Sequence, residues 1–164
     1  MTSGRIDFYT KVHKALRASL FEASHQAAIA DYGDQQAFCT LATRMKGLLA
    51  KLTAHAGHEA RFIHPLLAQK TGASTFDAEH DALESEQKDL VALLDAVAQA
   101  PQAERRARGL AFYRALNVFI ARYLEHLDRE EATMPALWAR CSDEELAAVM
   151  ERFGASRPLE EALA

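Results

Sequence analysis

The sequence has no long apolar run and few residues that interrupt helices. No stretch approaches the roughly 20 consecutive apolar residues that a membrane-spanning helix needs, so we expect no membrane-embedded segment. Only seven glycines and four prolines occur among 164 residues, which leaves long segments free of helix breakers. No segment alternates apolar and polar residues as a strand does. The predicted fold class is therefore all-α.

Cysteine is also scarce, and acidic residues outnumber basic ones. The two cysteines, Cys39 and Cys141, lie far apart and form no CxxC pattern, so we interpret them as unpaired thiols in a reducing cytoplasm. The N-terminal segment has no continuous apolar stretch followed by a small-residue cleavage site, and we expect no signal peptide. A net charge of −4 argues against nucleic acid or an anionic membrane as a partner.

Apolar residues recur at steps of three and four along four segments, as on the buried face of a helix. The stripes run over residues 6–30, 38–66, 76–97 and 112–137. Four amphipathic helices with short connections bury their stripes by packing up-down-up-down. The sequence therefore predicts a single domain containing an antiparallel four-helix bundle over about residues 6–140.

A short fifth helix is predicted after the bundle. Ser142 and Glu145 form a capping-box pattern at its start, and the helix is expected to cover about residues 142–153. Residues 154–164 are expected to be a loose tail.

Six residues in the four stripes are polar where the pattern requires core residues. Burying an imidazole or a carboxylate costs on the order of several kcal/mol per charge unless it is compensated. Counted from the turns at Gly33 and Pro101, with a rise of about 1.5 Å per residue, each helix brings a histidine to roughly the same height. The six polar residues are His13, His55, Glu59, His80, His126 and Glu130.

This polar layer consists of two similar halves, which indicates a metal site. In each half one helix supplies a single histidine, and the next supplies a His-x-x-x-Glu pair on one face. Two carboxylates facing each other in a low-dielectric layer repel each other, and divalent cations would remove this repulsion. We favour this interpretation over four separate core histidines with hydrogen-bond partners.

The set of donors indicates more than one ion. Four imidazoles and two carboxylates exceed what one tetrahedral zinc needs, and carboxylates from facing helices can bridge two metals about 3.5–4 Å apart. Nitrogen and oxygen donors without thiolate favour iron, with manganese or zinc as alternatives. Ferritin-like bundles need Glu-x-x-His on two helices, but the chain offers one such pair, Glu22 and His25.

The order His, His-x-x-x-Glu, His, His-x-x-x-Glu resembles the hemerythrin-like (HHE cation-binding) family over about residues 6–140. The resemblance implies a non-haem di-iron centre in an antiparallel bundle, bridged by two carboxylates and a solvent-derived oxygen. By position it implies the terminal ligands His13, His55, His80 and His126, and the bridging ligands Glu59 and Glu130.

The chain departs from the invertebrate oxygen carriers of that family at two positions. Those proteins have two histidines four residues apart on the third helix, whereas Phe76 lies four residues before His80. One metal is therefore expected to lack a nitrogen ligand, with water preferred over Glu84 in its place. The carriers also place the last carboxylate five residues after its histidine, which would select Glu131; we prefer Glu130 because it stays in the stripe.

Other histidines and tyrosines are given structural interpretations. His25, His58 and His64 fall outside the stripes and are expected to be partly exposed surface residues. Tyr9 and Tyr123 lie one turn from histidines of the polar layer. We interpret them as core aromatic residues, with a hydrogen bond to a metal-bound ligand as the alternative.

The predicted function is binding of dioxygen or another small diatomic ligand such as nitric oxide, for storage, sensing or buffering. Open coordination positions in an apolar interior favour this function. The missing third-helix histidine leaves more room for ligands and supports an alternative, an enzyme that removes peroxide or nitric oxide. An iron or redox sensor acting through a protein partner is a further alternative, and a metal-free bundle is the least favoured. The sequence leaves open whether the chain forms a homodimer.

Overall fold

The computed structural model describes residues 4–72 and 76–156, and within these ranges the chain forms helices and no strand. The all-α prediction is confirmed. Most of the predicted tail, from residue 157 onward, lies outside the described residues. The helices are α1 (Thr10–Ile29), α2 (Gln35–Phe62), α3 (His64–Thr71), α4 (Asp77–Gln99), α5 (Gln102–Glu131), α6 (Met134–Arg140) and α7 (Asp143–Ala155).

The four long helices α1, α2, α4 and α5 form the bundle. α1 packs against α2 and α5, and α4 packs against the same two helices, which places α2 and α5 diagonally opposite each other. Residues near the start of α1 and α4 meet residues near the end of α2 and α5 in the polar layer, so neighbouring helices are antiparallel. The predicted helical bundle is confirmed.

Side-chain caps fix the start of two helices. The carboxylate of Asp34 accepts hydrogen bonds from the backbone N–H groups of Gln36 and Ala37 at the start of α2. At the start of α7, the Ser142 hydroxyl accepts from the Glu145 backbone and the Glu145 carboxylate accepts from the Ser142 backbone. The capping box predicted from the sequence is therefore present.

Two of the predicted helices are broken rather than continuous. The stripe over residues 38–66 is divided at Ile63, and the stripe over residues 112–137 is divided at Ala132 and Thr133. Pro65 and Pro135 lie in the first turn of α3 and α6, where a helix needs no backbone donor. Each of the two stripes predicted as a single helix is therefore divided into a long and a short helix, because each proline begins a new short helix.

The polar layer lies between two apolar clusters. Along α2, Leu52 belongs to the core of the bundle and Phe62 belongs to a second cluster at one end, with His55 and Glu59 between them. The second cluster is built by the segment before α1 together with α3, α6 and α7. It includes Phe8, Tyr9, Leu67, Met134, Leu137, Leu146 and Val149. The polar layer therefore has apolar side chains on both sides.

No helix in the described parts of the chain is long and apolar enough to span a membrane.

Candidate metal centre

The structure brings all six predicted residues of the polar layer together. Their donor atoms form two groups, and within each group all atoms lie within 4.8 Å of one another. Both carboxylates belong to both groups, and each group adds two imidazoles from neighbouring helices. The first group contains His13, His55, Glu59 and Glu130, and the second contains Glu59, His80, His126 and Glu130.

In the first group, imidazole nitrogens face carboxylate oxygens across the bundle. His13 Nε2 lies 3.4 Å from Glu59 Oε1 and 3.5 Å from Glu130 Oε2. His55 Nε2 lies 3.1 Å from Glu59 Oε1, one helical turn away on α2. Because His13 is fully buried and the Glu59 side chain is 2% exposed, these contacts are shielded from solvent.

In the second group, two imidazole nitrogens also face each other. His80 Nε2 and His126 Nε2 are 3.0 Å apart. Both lie near Glu130 Oε1, at 3.2 Å and 3.1 Å respectively. His80 Nε2 is also 3.5 Å from Glu59 Oε2, so both carboxylates approach the second group as well.

The outer nitrogens of two histidines contact carboxylates from other helices. His13 Nδ1 lies 3.0 Å from Glu131 Oε1, and His126 Nδ1 lies 2.9 Å from Glu79 Oε2. A charged carboxylate only accepts hydrogen bonds, so Nδ1 carries a proton, and in the neutral imidazole Nε2 presents its lone pair to the polar layer. Metal-binding histidines commonly have this arrangement, which fixes the ring and its tautomer.

Arginines donate hydrogen bonds to both of these outer carboxylates. Arg17 donates to Glu131, and Arg129 donates to Glu79 through Nη2 at 2.9 Å. Partial burial acts to raise the pKa of Glu79, but hydrogen bonds from Arg129 and His126 outweigh it and lower the pKa. Glu79 is therefore an acceptor for His126 at neutral pH.

Several buried atoms of the polar layer have no hydrogen-bond partner among the described residues. These atoms are His55 Nε2, Glu59 Oε2, His64 Nε2 and Glu130 Oε2. Buried polar atoms without a partner are rare and costly, and all four are good donors to a divalent ion. The residues present thus fit a metal cofactor. Burial of the Glu59 carboxyl acts to raise its pKa, but the adjacent imidazoles of His13 and His55 outweigh it and lower the pKa.

Two tyrosines beside the polar layer are buried, as expected of core aromatic residues. Tyr9 is fully buried and Tyr123 is 2% exposed. Burial, followed by the nearby charges of Glu59 and Glu130, raises the pKa of both phenols. Both side chains are therefore neutral at physiological pH, and each can donate an O–H hydrogen bond.

The structure also separates the alternatives for the carboxylates. Glu130 is fully buried and contacts imidazoles of both groups, whereas Glu131 is partly exposed and contacts only the outer face of His13 among these imidazoles. The geometry therefore favours Glu130. Glu84 is exposed and pairs with Lys88 at 2.8 Å, so it does not enter the polar layer.

The interpretation of His64 as a surface residue was wrong. His25 is exposed and His58 is half-buried, but His64 is 1% exposed at the start of α3. The helical stripe failed to place it because α2 ends at Phe62, so the register of α2 no longer applies. The proline that follows His64 was the available signal of this break.

A cleft between α2 and α4 approaches the second group. Its volume is about 360 Å³, and His80 and Tyr123 lie in its wall. On the α2 side it is lined by small residues, among them Gly57 and Ala60. The sequence gives no signal of this cleft, because small residues at exposed helical positions have no distinctive pattern.

A buried layer of imidazoles and carboxylates in a four-helix bundle defines a metal-binding helical protein. The model of the hemerythrin HHE cation-binding domain matches residues 5–138, and the chain belongs to this family. The resemblance seen in the sequence is thus confirmed, and the family and the residues of the polar layer together support a metal cofactor. No curated protein shows significant sequence similarity to the chain.

Proposed function

We propose that the chain holds two iron ions in the polar layer and binds dioxygen or another small diatomic ligand such as nitric oxide. The observation that carries this proposal is that two groups of four donor atoms share Glu59 and Glu130. Such sharing suits two ions bridged by carboxylates. Iron, which mixed nitrogen and oxygen donors favour, supplies a redox-active centre that takes up small ligands.

Each residue of the polar layer then has a distinct role. Four imidazoles hold the ions individually, and the two carboxylates hold both at once. The ligands would be His13 and His55 for the first ion, His80 and His126 for the second, and Glu59 and Glu130 as bridges. The contacts of Glu131 and Glu79 keep two of the rings oriented for this task.

The surroundings of the polar layer support binding of a small ligand. The two apolar clusters restrict water on both sides of the layer. The hydroxyl of Tyr9 is buried without a hydrogen bond of regular geometry to the described residues, so it is available to a bound ligand. The cleft at His80 provides a route from solvent for a diatomic molecule.

The test uses the purified, iron-loaded chain. We expect about two iron ions per chain by elemental analysis, as the two donor groups imply. After anaerobic reduction, air should produce a charge-transfer absorption that disappears again when oxygen is removed. Irreversible oxidation without such a spectrum, or a wild-type chain that retains no iron, would contradict the proposal.

An enzyme that removes peroxide or nitric oxide is a second candidate. The cleft favours it, because a route that reaches His80 can also admit a substrate and release its product. Iron-loaded protein should then turn over peroxide or nitric oxide continuously, and His126→Ala should abolish the activity. A rate no higher than that of free iron would exclude this function.

The state of the cysteines supports a reducing compartment, such as the cytoplasm, as the place of this function. Among the described residues Cys39 is exposed, Cys141 is buried, and both are free. An exposed free thiol is typical of proteins kept in reducing surroundings.

A further inference from the structure

His64 has the features of a metal-site residue, although it lies outside the helical stripes and is not one of the six residues of the polar layer. It is the first residue of α3 and is 1% exposed. Its ring stacks on that of His80, with 5.1 Å between the ring centroids and 23° between the planes. Its Nε2 points into the polar layer, 4.0 Å from Glu130 Oε1.

We propose that His64 is a further imidazole ligand of the second ion, the one assigned to His80 and His126. This inference rests on the proposed metal centre. The invertebrate oxygen carriers have a histidine where this chain has Phe76, so one ion is expected to lack a nitrogen ligand. His64 would supply that nitrogen. The replacement would come from α3 instead of α4.

A hydrogen bond on the outer side of the His64 ring supports its role as a ligand. His64 Nδ1 lies 3.1 Å from Asp77 Oδ1, as His13 Nδ1 lies 3.0 Å from Glu131 and His126 Nδ1 lies 2.9 Å from Glu79. All three carboxylates come from a different helix than their histidine. In each case the lone pair of Nε2 faces the polar layer, which is the form of imidazole that binds metals.

The unpartnered Nε2 of His64 also supports its role as a ligand. This atom is buried and has no hydrogen-bond partner among the described residues, a property it shares with Nε2 of His55. A structural histidine in an apolar core normally satisfies both nitrogens. An unpaired lone pair next to Glu130 and His80 is therefore better explained by a cation that all three residues contact.

The spacing between the rings of His64 and His80 is that of a pair of ligands to one ion. The 5.1 Å between the ring centroids of His64 and His80 equals that between His13 and His55, the pair assigned to the first ion. Phe76 packs against both His64 and His126, at 5.9 Å and 5.7 Å, and so holds the ring of His64 toward the layer.

Coordination requires a small movement of the His64 ring. Its Nε2 is not among the donor atoms that lie within 4.8 Å of one another, and its ring is nearly parallel to that of His80. Rotation about the side-chain torsions would turn Nε2 toward the ion. The partner on the outer side, Asp77, is exposed over 62% of its side chain and can follow this movement.

The experiment counts bound histidines in the full-length chain loaded with Co²⁺. A histidine that binds paramagnetic cobalt through Nε2 keeps its Nδ1 proton, which gives a strongly shifted, exchangeable NMR signal. We expect His64→Gln to remove one such signal and leave the others. The control His25→Gln changes an exposed histidine and should leave the whole set unchanged.

A second measurement keeps the inference testable if His64→Gln does not fold. In wild-type chain labelled with ¹⁵N-histidine, five bound imidazoles support the inference and four overturn it. Asp77→Asn should keep two ions per chain but weaken the second by about 10–100-fold in a chelator competition. If the second ion bound Asp77→Asn as tightly as it binds the wild-type chain, the result would count against the inference.

The outcomes separate this inference from the proposed metal centre. Four bound imidazoles, with a His64→Gln spectrum identical to that of wild type, overturn the role of His64 and leave the centre intact. A wild-type chain without any shifted signal overturns the centre itself, and the inference with it.

Discussion

The Nε2 atoms of His80 and His126 face each other at 3.0 Å inside the protein. Since His126 Nδ1 donates to Glu79, its Nε2 directs a lone pair at His80 and at Glu130 Oε1, 3.1 Å away. Electron-rich atoms in such an arrangement repel one another unless a positive charge lies between them. A metal ion bound between these atoms would remove this repulsion, and the first two predictions below test whether it stabilises the folded chain.

Removal of the metal should destabilise the fold. A ligand that binds only the folded chain, at a thousand times its dissociation constant, stabilises it by about 4 kcal/mol. For a domain of this size that corresponds to a melting temperature higher by roughly 8–16 °C for each such ion. Calorimetry of the iron-loaded chain, before and after dialysis against a chelator, measures the difference. Identical melting temperatures would show that no ion stabilises the polar layer.

Replacement of the two neighbouring glutamates should separate their roles. Glu130→Gln removes a charged oxygen that faces imidazoles of both groups, so we expect the chain to lose most of its bound metal. Glu131→Gln weakens only the partner of His13 Nδ1, so two ions should remain, with affinity reduced by about 10–100-fold at the first. Elemental analysis and chelator competition distinguish the two. Equal metal loss in both variants would contradict the assignment.

The sequence was sufficient to predict the bundle and the polar layer for a simple reason. Residues three or four positions apart share a helical face, so a polar residue within an apolar stripe must enter the core. His13 and Glu130 both occupy such positions, and both are fully buried. The preference for Glu130 over Glu131 followed from the same periodicity, and the geometry supports it.

Helical periodicity cannot predict contacts that depend on where one helix ends or on how two helices are positioned relative to each other. The periodicity of a helix applies only within that helix, and α2 ends at Phe62. The stripe of α2 therefore could not indicate that the side chain of His64 points inward. The contact between Glu79 and His126 depends on how far α4 and α5 are shifted along each other. A rise of about 1.5 Å per residue, counted from a turn, is too coarse to fix such a shift.

The cleft between α2 and α4 should control the rate at which small ligands reach the polar layer. Gly57 lines this cleft, and a Cβ added there would meet no atom of the described residues within 4 Å, so Gly57→Phe should fold and narrow the passage. We expect azide, a small anionic probe of the iron centre, to associate several-fold more slowly in stopped-flow measurements. Gly47→Phe, at an exposed position of α2 outside the cleft lining, is the control and should retain the wild-type rate. An unchanged rate in Gly57→Phe would mean that ligands enter elsewhere.

Gly109, which lies in α5 at the end of the bundle away from the polar layer, should not tolerate substitution. A Cβ on Gly109 would lie 2.2 Å from Cγ of Tyr32, whose buried hydroxyl donates to the Ala27 carbonyl at 2.9 Å. The clash involves the base of the ring, so Gly109→Ala must displace the whole side chain. We expect overpacking to lower the free energy of unfolding by about 1–3 kcal/mol, more than the alanine gains in helix propensity.

Gly47→Ala provides the matched control for Gly109→Ala, because it makes the same substitution inside a helix without the clash. A Cβ at Gly47 would have no described atom within 4 Å, so the gain in helix propensity should stand alone and raise the free energy of unfolding by about 0.5–1 kcal/mol. Urea unfolding of the metal-loaded chain measures both effects under one condition. Since both substitutions add one methyl group inside a helix, opposite signs would indicate the contact of Gly109 with Tyr32. If both variants were stabilised, the close approach of Tyr32 to the α5 backbone would not hold in solution.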